Sequence, residues 1–218
     1  MGERSPSALV VTAANAEAAR LLTQWRTWPG GALALVGPKG SGKTHLALAW
    51  ALENGARQLT PDAAPEEGAA LFEAASGRLL IEDVDVDGAD GLLWRVLDLA
   101  RARAGAVLLT GATPPAAWPA ISPDLRSRLN ALPVAKLAEP DEALLEVILR
   151  RLSREQFILL SDDALRYLVR RMPRTFAAAR AIVSALDEGL TRGAKPVSVA
   201  VAKRALEAAK ISGALDED

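Results

Sequence analysis

Residues Gly37, Pro38, Lys39, Gly40, Ser41, Gly42, Lys43 and Thr44 meet the pattern G-x-x-x-x-G-K-[ST] at every fixed position, and no other feature restricts the fold of this chain as strongly. The pattern has physical content only where a strand enters the loop and a helix leaves it. Residues 32–36 are an uncharged apolar run suited to a buried parallel strand, and 43–53 are rich in Ala and Leu with no Gly or Pro. Glycines let the backbone turn tightly, so that successive N–H groups and the start of the helix face an anion. The expectation is a phosphate-binding loop in which Lys43 reaches the β- and γ-phosphates and the Thr44 hydroxyl holds Mg²⁺. A Gly-rich turn before an ordinary helix is the plainer alternative. Eight matched positions and two suitable flanks weigh against it.

Around this loop, apolar strand-like runs alternate with helical stretches to about residue 136, after which only helix-like segments occur. That order predicts an α/β domain over 1–137 with a parallel five-stranded sheet, then a small all-α domain over 138–212 and a short acidic tail at 213–218. Strands are expected at 9–11, 32–36, 79–81, 106–110 and 132–136, with helices at 16–25, 43–53, 91–102 and 123–129. Turn signals at Pro61-Asp62 and Pro65-Glu66-Glu67-Gly68 give 54–77 the reading of a loop and a short helix. In the second half, helices are expected at 141–154, 161–172, 174–190 and 197–210. Ser161-Asp162-Asp163 and Pro196-Val197-Ser198 mark two of their starts.

A net charge of −1 gives no global attraction to nucleic acid or to an acidic membrane. With no cysteine there are no disulfides or thiolate metal sites, and a single histidine, His45, excludes a histidine cluster. Neither a long apolar span nor the layout of a signal peptide is present, so a cytoplasmic location without membrane contact is expected. Trp25 and Trp28, three apart, read as core packing rather than base-stacking residues, and no sequence-specific DNA contact is expected.

A phosphate loop needs an acidic partner on a neighbouring strand. Leu79-Leu80-Ile81-Glu82-Asp83 supplies one: of Glu82 and Asp83, one carboxylate would hold Mg²⁺ and the other would polarise water. The plainer alternative is a strand ending in solvated charge, because Asp85, Asp87 and Asp90 follow closely.

Downstream, Thr110-Gly111-Ala112-Thr113-Pro114-Pro115 and the segment Pro123-Asp124-Leu125-Arg126-Ser127-Arg128-Leu129 complete an order of motifs. In that order the chain resembles the AAA+ ATPases of the bacterial replication-initiator family, DnaA and its shorter relative Hda. The resemblance runs from about Val10 to Leu206. It implies a P-loop AAA+ domain followed by a helical lid, with ADP or ATP and Mg²⁺ as ligands. By the same resemblance Val10, Val11 and His45 line the nucleotide, Asn15 opens the first helix, and Arg174 senses nucleotide from the lid. Arg128 becomes an arginine finger, presented outward to the nucleotide of a partner subunit.

DnaA carries domains before and after its ATPase that have no counterpart here, so the resemblance is nearer to Hda. It implies a regulator that makes DnaA-bound ATP hydrolyse together with the DNA-loaded sliding clamp. A homodimer stays open. The Hda clamp-binding peptide, of the Q-L-x-L-P-L kind, has no match in 1–7, and an N-terminally shortened chain is the expectation. Two further departures bear on catalysis: Glu82-Asp83 stands where DnaA has two aspartates, and Ala112 stands where DnaA has an aspartate, with Thr110 as its substitute. Both point to a site that retains nucleotide better than it hydrolyses it. An autonomous AAA+ ATPase, such as a helicase loader or motor, and a P-loop phosphotransferase remain as rival readings.

Overall fold

The computed structural model describes residues 11–189 and 196–211. Contacts among these divide into two compact units, one of 15–38 with 43–138 and the other of 11–14, 39–42 and 139–211.

In the first unit, helix α1 (Ala16–Thr23) precedes strand β1 (Ala32–Val36), and α2 (Lys43–Asn54) follows the phosphate loop. Then come β2 (Arg57–Leu59), α3 (Pro65–Ala74), β3 (Arg78–Ile81), α4 (Asp90–Ala102), β4 (Ala106–Gly111), α5 (Pro123–Asn130) and β5 (Val134–Lys136). The five strands form one parallel sheet in the order β2-β3-β4-β1-β5.

Side-chain alternation explains why the sheet needs helices on both faces. Ala32, Ala34 and Val36 of β1 pack with Phe72, Leu92, Leu93 and Val96 of α3 and α4. Leu33 and Leu35 turn to the opposite face and pack with Ala18, Leu22, Leu46 and Trp50 of α1 and α2. All five β1 residues are therefore buried, as an apolar run without charge requires. Trp28 joins the second layer, its ring 5.3 Å from that of Trp50 and its Nε1 donating to the Leu21 carbonyl at 2.8 Å. Trp25 is only half-buried, and the guanidinium of Arg26 lies 4.1 Å from its ring centroid.

The five-stranded parallel sheet stands, with one change of membership. Residues 9 and 10 lie outside the described part, and Val11 is exposed and in no strand. The fifth member is β2, inside the segment read as loop and short helix. Arg57 and Gln58 are exposed on this edge strand and only Leu59 is buried, so no apolar run announces it. Pro65-Glu66-Glu67, read as a turn, is the first turn of α3: proline fits the start of a helix, where its missing N–H goes unused, and the acids complement the dipole.

The second unit consists of α6 (Glu142–Glu155), α7 (Asp162–Val169), α8 (Phe176–Gly189) and α9 (Val199–Ile211) around a core that includes Leu145, Leu149, Leu165, Leu168, Ile182, Leu186 and Leu206. Three starts are capped by side chains: Asp141 accepts from the Leu144 N–H at 2.8 Å, Ser161 from the Ala164 N–H at 3.2 Å and Thr175 from the Ala178 N–H at 3.0 Å. The Ser161 hydroxyl also donates to the Val197 carbonyl at 2.7 Å, beside an isolated parallel bridge between Leu160 and Val197. The acidic tail lies outside the described residues. Among those described, no helix is long and apolar enough to cross a membrane.

Candidate nucleotide site

The phosphate loop leaves the C-terminal end of β1, an inner strand between β4 and β5. Val36 pairs with Gly111 of β4, and the Gly37 N–H reaches the Gly111 carbonyl at 3.4 Å. Gly40 and Gly42 have φ of 73° and 94°, a left-handed backbone that residues with a Cβ rarely adopt. Lys43 is 9% exposed, and its Nζ donates to the carbonyls of Gly37 at 2.9 Å and Pro38 at 3.1 Å. The ammonium is thus folded back over the loop that its own helix follows. Ser41 is buried, and its hydroxyl has no hydrogen-bond partner among the described residues. Pro38, Lys39 and Thr44 are exposed, and His45 is partly buried.

The acidic pair divides into two different groups. Glu82 follows β3 and is partly buried; its Oε2 accepts from Gln58 Nε2 at 2.8 Å, and its Oε1 is buried without a hydrogen-bond partner. Burial pushes its pKa above the usual carboxylate value. The Thr44 hydroxyl opposes that shift, the charge of Asp83 adds to it, and the Lys43 ammonium opposes it. Asp83 is exposed with φ of 53°, and its N–H donates to the Thr110 hydroxyl at 3.0 Å. Thr110, fully buried, also accepts the Val84 N–H at its carbonyl, 2.9 Å away. Its side chain therefore fixes the bend that carries the acidic pair.

These residues suit a bound Mg²⁺. Among the described residues no three His, Cys, Asp or Glu side chains converge on a metal site. Mg²⁺ commonly takes one or two protein oxygens and fills its remaining positions with water and phosphate. The Thr44 hydroxyl and the partnerless Glu82 Oε1 are such oxygens.

The end of β4 is held by a residue that motif spacing does not single out. Asp85 Oδ2 accepts from the Ala112 N–H at 2.8 Å, the Thr113 N–H at 3.2 Å and the Thr113 hydroxyl at 3.3 Å. Trp118, fully buried, adds a hydrogen bond from Nε1 to the Thr113 carbonyl at 2.7 Å. Gln58 was equally inconspicuous, since one polar residue on a short edge strand carries no pattern.

Arg128 is not free. Its Nη1 and Nη2 both donate to Asp98 Oδ1, at 3.1 and 3.2 Å, and its Cζ lies 5.5 Å from the centroid of the Trp94 ring. Arg126 donates to the Ala116 carbonyl at 3.0 Å. In the second unit, Arg174 is exposed and its Nη2 lies 3.5 Å from Glu142 Oε1. Val11 also belongs to that unit, and Val10 lies outside the described residues.

Comparison with solved structures places this architecture. Domain III of the Thermotoga maritima replication initiation protein DnaA superposes with a TM-score of 0.71 at 19% identity, over 92% of this chain and 94% of that one. AMPPCP-bound DnaA from Aquifex aeolicus gives 0.64 at 16% identity, over 86% of this chain and 67% of that one. The Thermotoga maritima RuvB Holliday junction branch migration motor gives 0.64 at 21% identity, over 82% of this chain but only 61% of the motor. No protein-family model and no curated protein matches the sequence. The fold is that of the AAA+ P-loop NTPases, DnaA-like in its parallel five-stranded sheet and following helices.

Proposed function

We propose that this chain binds adenine nucleotide, ADP or ATP with Mg²⁺, at 37–44 and uses it to hold a conformation. In this reading it is a regulator of the Hda kind that acts on ATP bound to DnaA, together with the DNA-loaded sliding clamp. The observation that carries the retention half of the reading is the state of the acidic pair. Glu82 is hydrogen-bonded to Gln58 and disfavours its own ionised form, Asp83 is exposed on a strained backbone, and Ala112 offers no side chain. Such a set supports slow turnover.

In the bound state Lys43 would exchange the carbonyls of Gly37 and Pro38 for phosphate oxygens, while the loop N–H groups and the start of α2 face the anion. The Thr44 hydroxyl and Glu82 would hold Mg²⁺, which neutralises phosphate charge. Arg174 would report occupancy from the helical unit. Arg128 would act elsewhere: its always-charged planar fork suits two phosphate oxygens of a partner's ATP, where arginine fingers contribute rate factors on the order of 10³ to 10⁵.

The test follows ATP bound to DnaA in the presence of clamp on DNA, with wild type and Arg128→Ala. Wild type should accelerate hydrolysis and the alanine variant should not. Sustained turnover by this chain alone, with no effect on DnaA, would instead support an autonomous motor, a reading favoured by the RuvB-like fold.

A further inference from the structure

We propose that Asp98 and Trp94 form a holder for Arg128, a carboxylate standing in for phosphate until a partner's nucleotide displaces it. The inference rests on the reading of Arg128 as a group that acts in trans. Trp94 and Asp98 lie four residues apart on α4, so one helix face presents both. Arg128 reaches them from α5, across 30 residues of sequence.

Three observations separate this contact from an incidental surface pair. First, both terminal nitrogens converge on Oδ1 alone, so each arm of the fork that would grip a phosphate already donates to one carboxylate oxygen. Second, the Trp94 ring lies beside the guanidinium, yet it is 40% exposed, high for so large an apolar side chain. Third, the side chains of Arg128 and Asp98 are 26% and 40% exposed, so the pair is restrained but within reach of a docking partner. Arg126, two positions earlier on the same helix, has a carbonyl for its partner and no such ring.

A single carboxylate carries less charge than a triphosphate, and pairs open to solvent are individually weak. Exchange of Asp98 for phosphate is therefore downhill when the partner brings its nucleotide close. Without a partner, Asp98 keeps the fork from other anions and Trp94 limits its swing.

Two measurements on the full chain test the holder. Phenylglyoxal modification mapped by mass spectrometry should find Arg128 slower to react than Arg170, which is exposed and has no carboxylate partner among the described residues. In Asp98→Asn the Arg128 rate should rise about five-fold, the factor set by a partly exposed pair near the top of its usual range. Equal rates in wild type and variant overturn the holder.

In the hydrolysis assay with ATP-loaded DnaA and clamp on DNA, Asp98→Asn should lower the half-saturating DnaA concentration by about the same five-fold factor. The plateau rate should stay unchanged. Asp98→Glu, which keeps the charge, should return towards wild type. If Arg128→Ala abolishes acceleration while Asp98→Asn leaves half-saturation unchanged, the holder fails and the trans-acting reading stands. If Arg128→Ala accelerates as well as wild type, that reading itself fails.

Discussion

Replacing Glu82 with Gln should stabilise the ligand-free protein and weaken its hold on Mg²⁺-nucleotide, two effects of opposite sign from one carboxylate. The stabilisation follows from burial of the charged carboxylate, the chief reason its pKa is raised, a cost that a neutral amide of the same shape does not carry. Burying a polar group costs roughly 1–3 kcal/mol in proteins, and an ionised one costs more. Because Glu82 is only partly buried, solvent screens part of that penalty, and about 1 kcal/mol is the appropriate end of the range. In a chain of 218 residues this corresponds to a rise in Tm of about 2–4 °C. Glutamine keeps an amide that can still pair with Gln58.

The pH dependence has a required sign. A carboxyl whose folded pKa is raised leaves wild type at full stability below the unfolded value, and that stability is lost as pH rises through the folded value. The advantage of the variant should therefore be near zero below the ordinary glutamate value of 4.5, grow as pH rises towards the shifted pKa, and then level off. Mg²⁺-ATP affinity, measured by calorimetry, should fall by about tenfold or more, equivalent to ~1.4 kcal/mol. Differential scanning calorimetry from pH 4 to pH 8 tests the first half. A Tm that drops in the variant at neutral pH, or a shift of constant size at every pH, refutes the reasoning.

Lys43→Ala should reduce nucleotide affinity by about a hundredfold, the loss of roughly 3 kcal/mol of charged hydrogen bonding, read by titration with a fluorescent ADP analogue. Gly111→Ala should destabilise by about 1–3 kcal/mol in urea unfolding, because its Cβ would stand 2.9 Å from Nε1 of the fully buried Trp118. A smaller effect would mean that Trp118 has room to move. Phe157 is 99% exposed with φ of 57°, so Phe157→Gly should stabilise by about 0.5–1 kcal/mol in the same assay, and destabilisation would show that the ring has a packing role.

Features encoded by contiguous residues were legible in the sequence: the phosphate loop with its flanking strand and helix, the apolar cores of β3 and β4, and the starts of α7 and α9. Each depends on groups a few positions apart, such as the Ser161 cap that meets the N–H three residues on. Strand β2 was not legible, because edge position lets Arg57 and Gln58 stay exposed and removes the apolar signal. The motif spacing also located Glu82 and Asp83 without distinguishing them. Burial and the pairing with Gln58, 24 residues away, did that.

Sequence alone thus determined that a phosphate-binding loop would sit between a buried strand and a helix, since eight adjacent residues carry the backbone freedom, the ammonium and the hydroxyl that such a loop needs. Tertiary structure alone decided that Glu82 is tied to Gln58, that Asp85 clasps the end of β4, and that Arg128 rests on Asp98 beside Trp94. The physical reason is distance along the chain: these contacts join residues 24 to 34 positions apart, and only the order of the strands and the packing of helices against them bring them together.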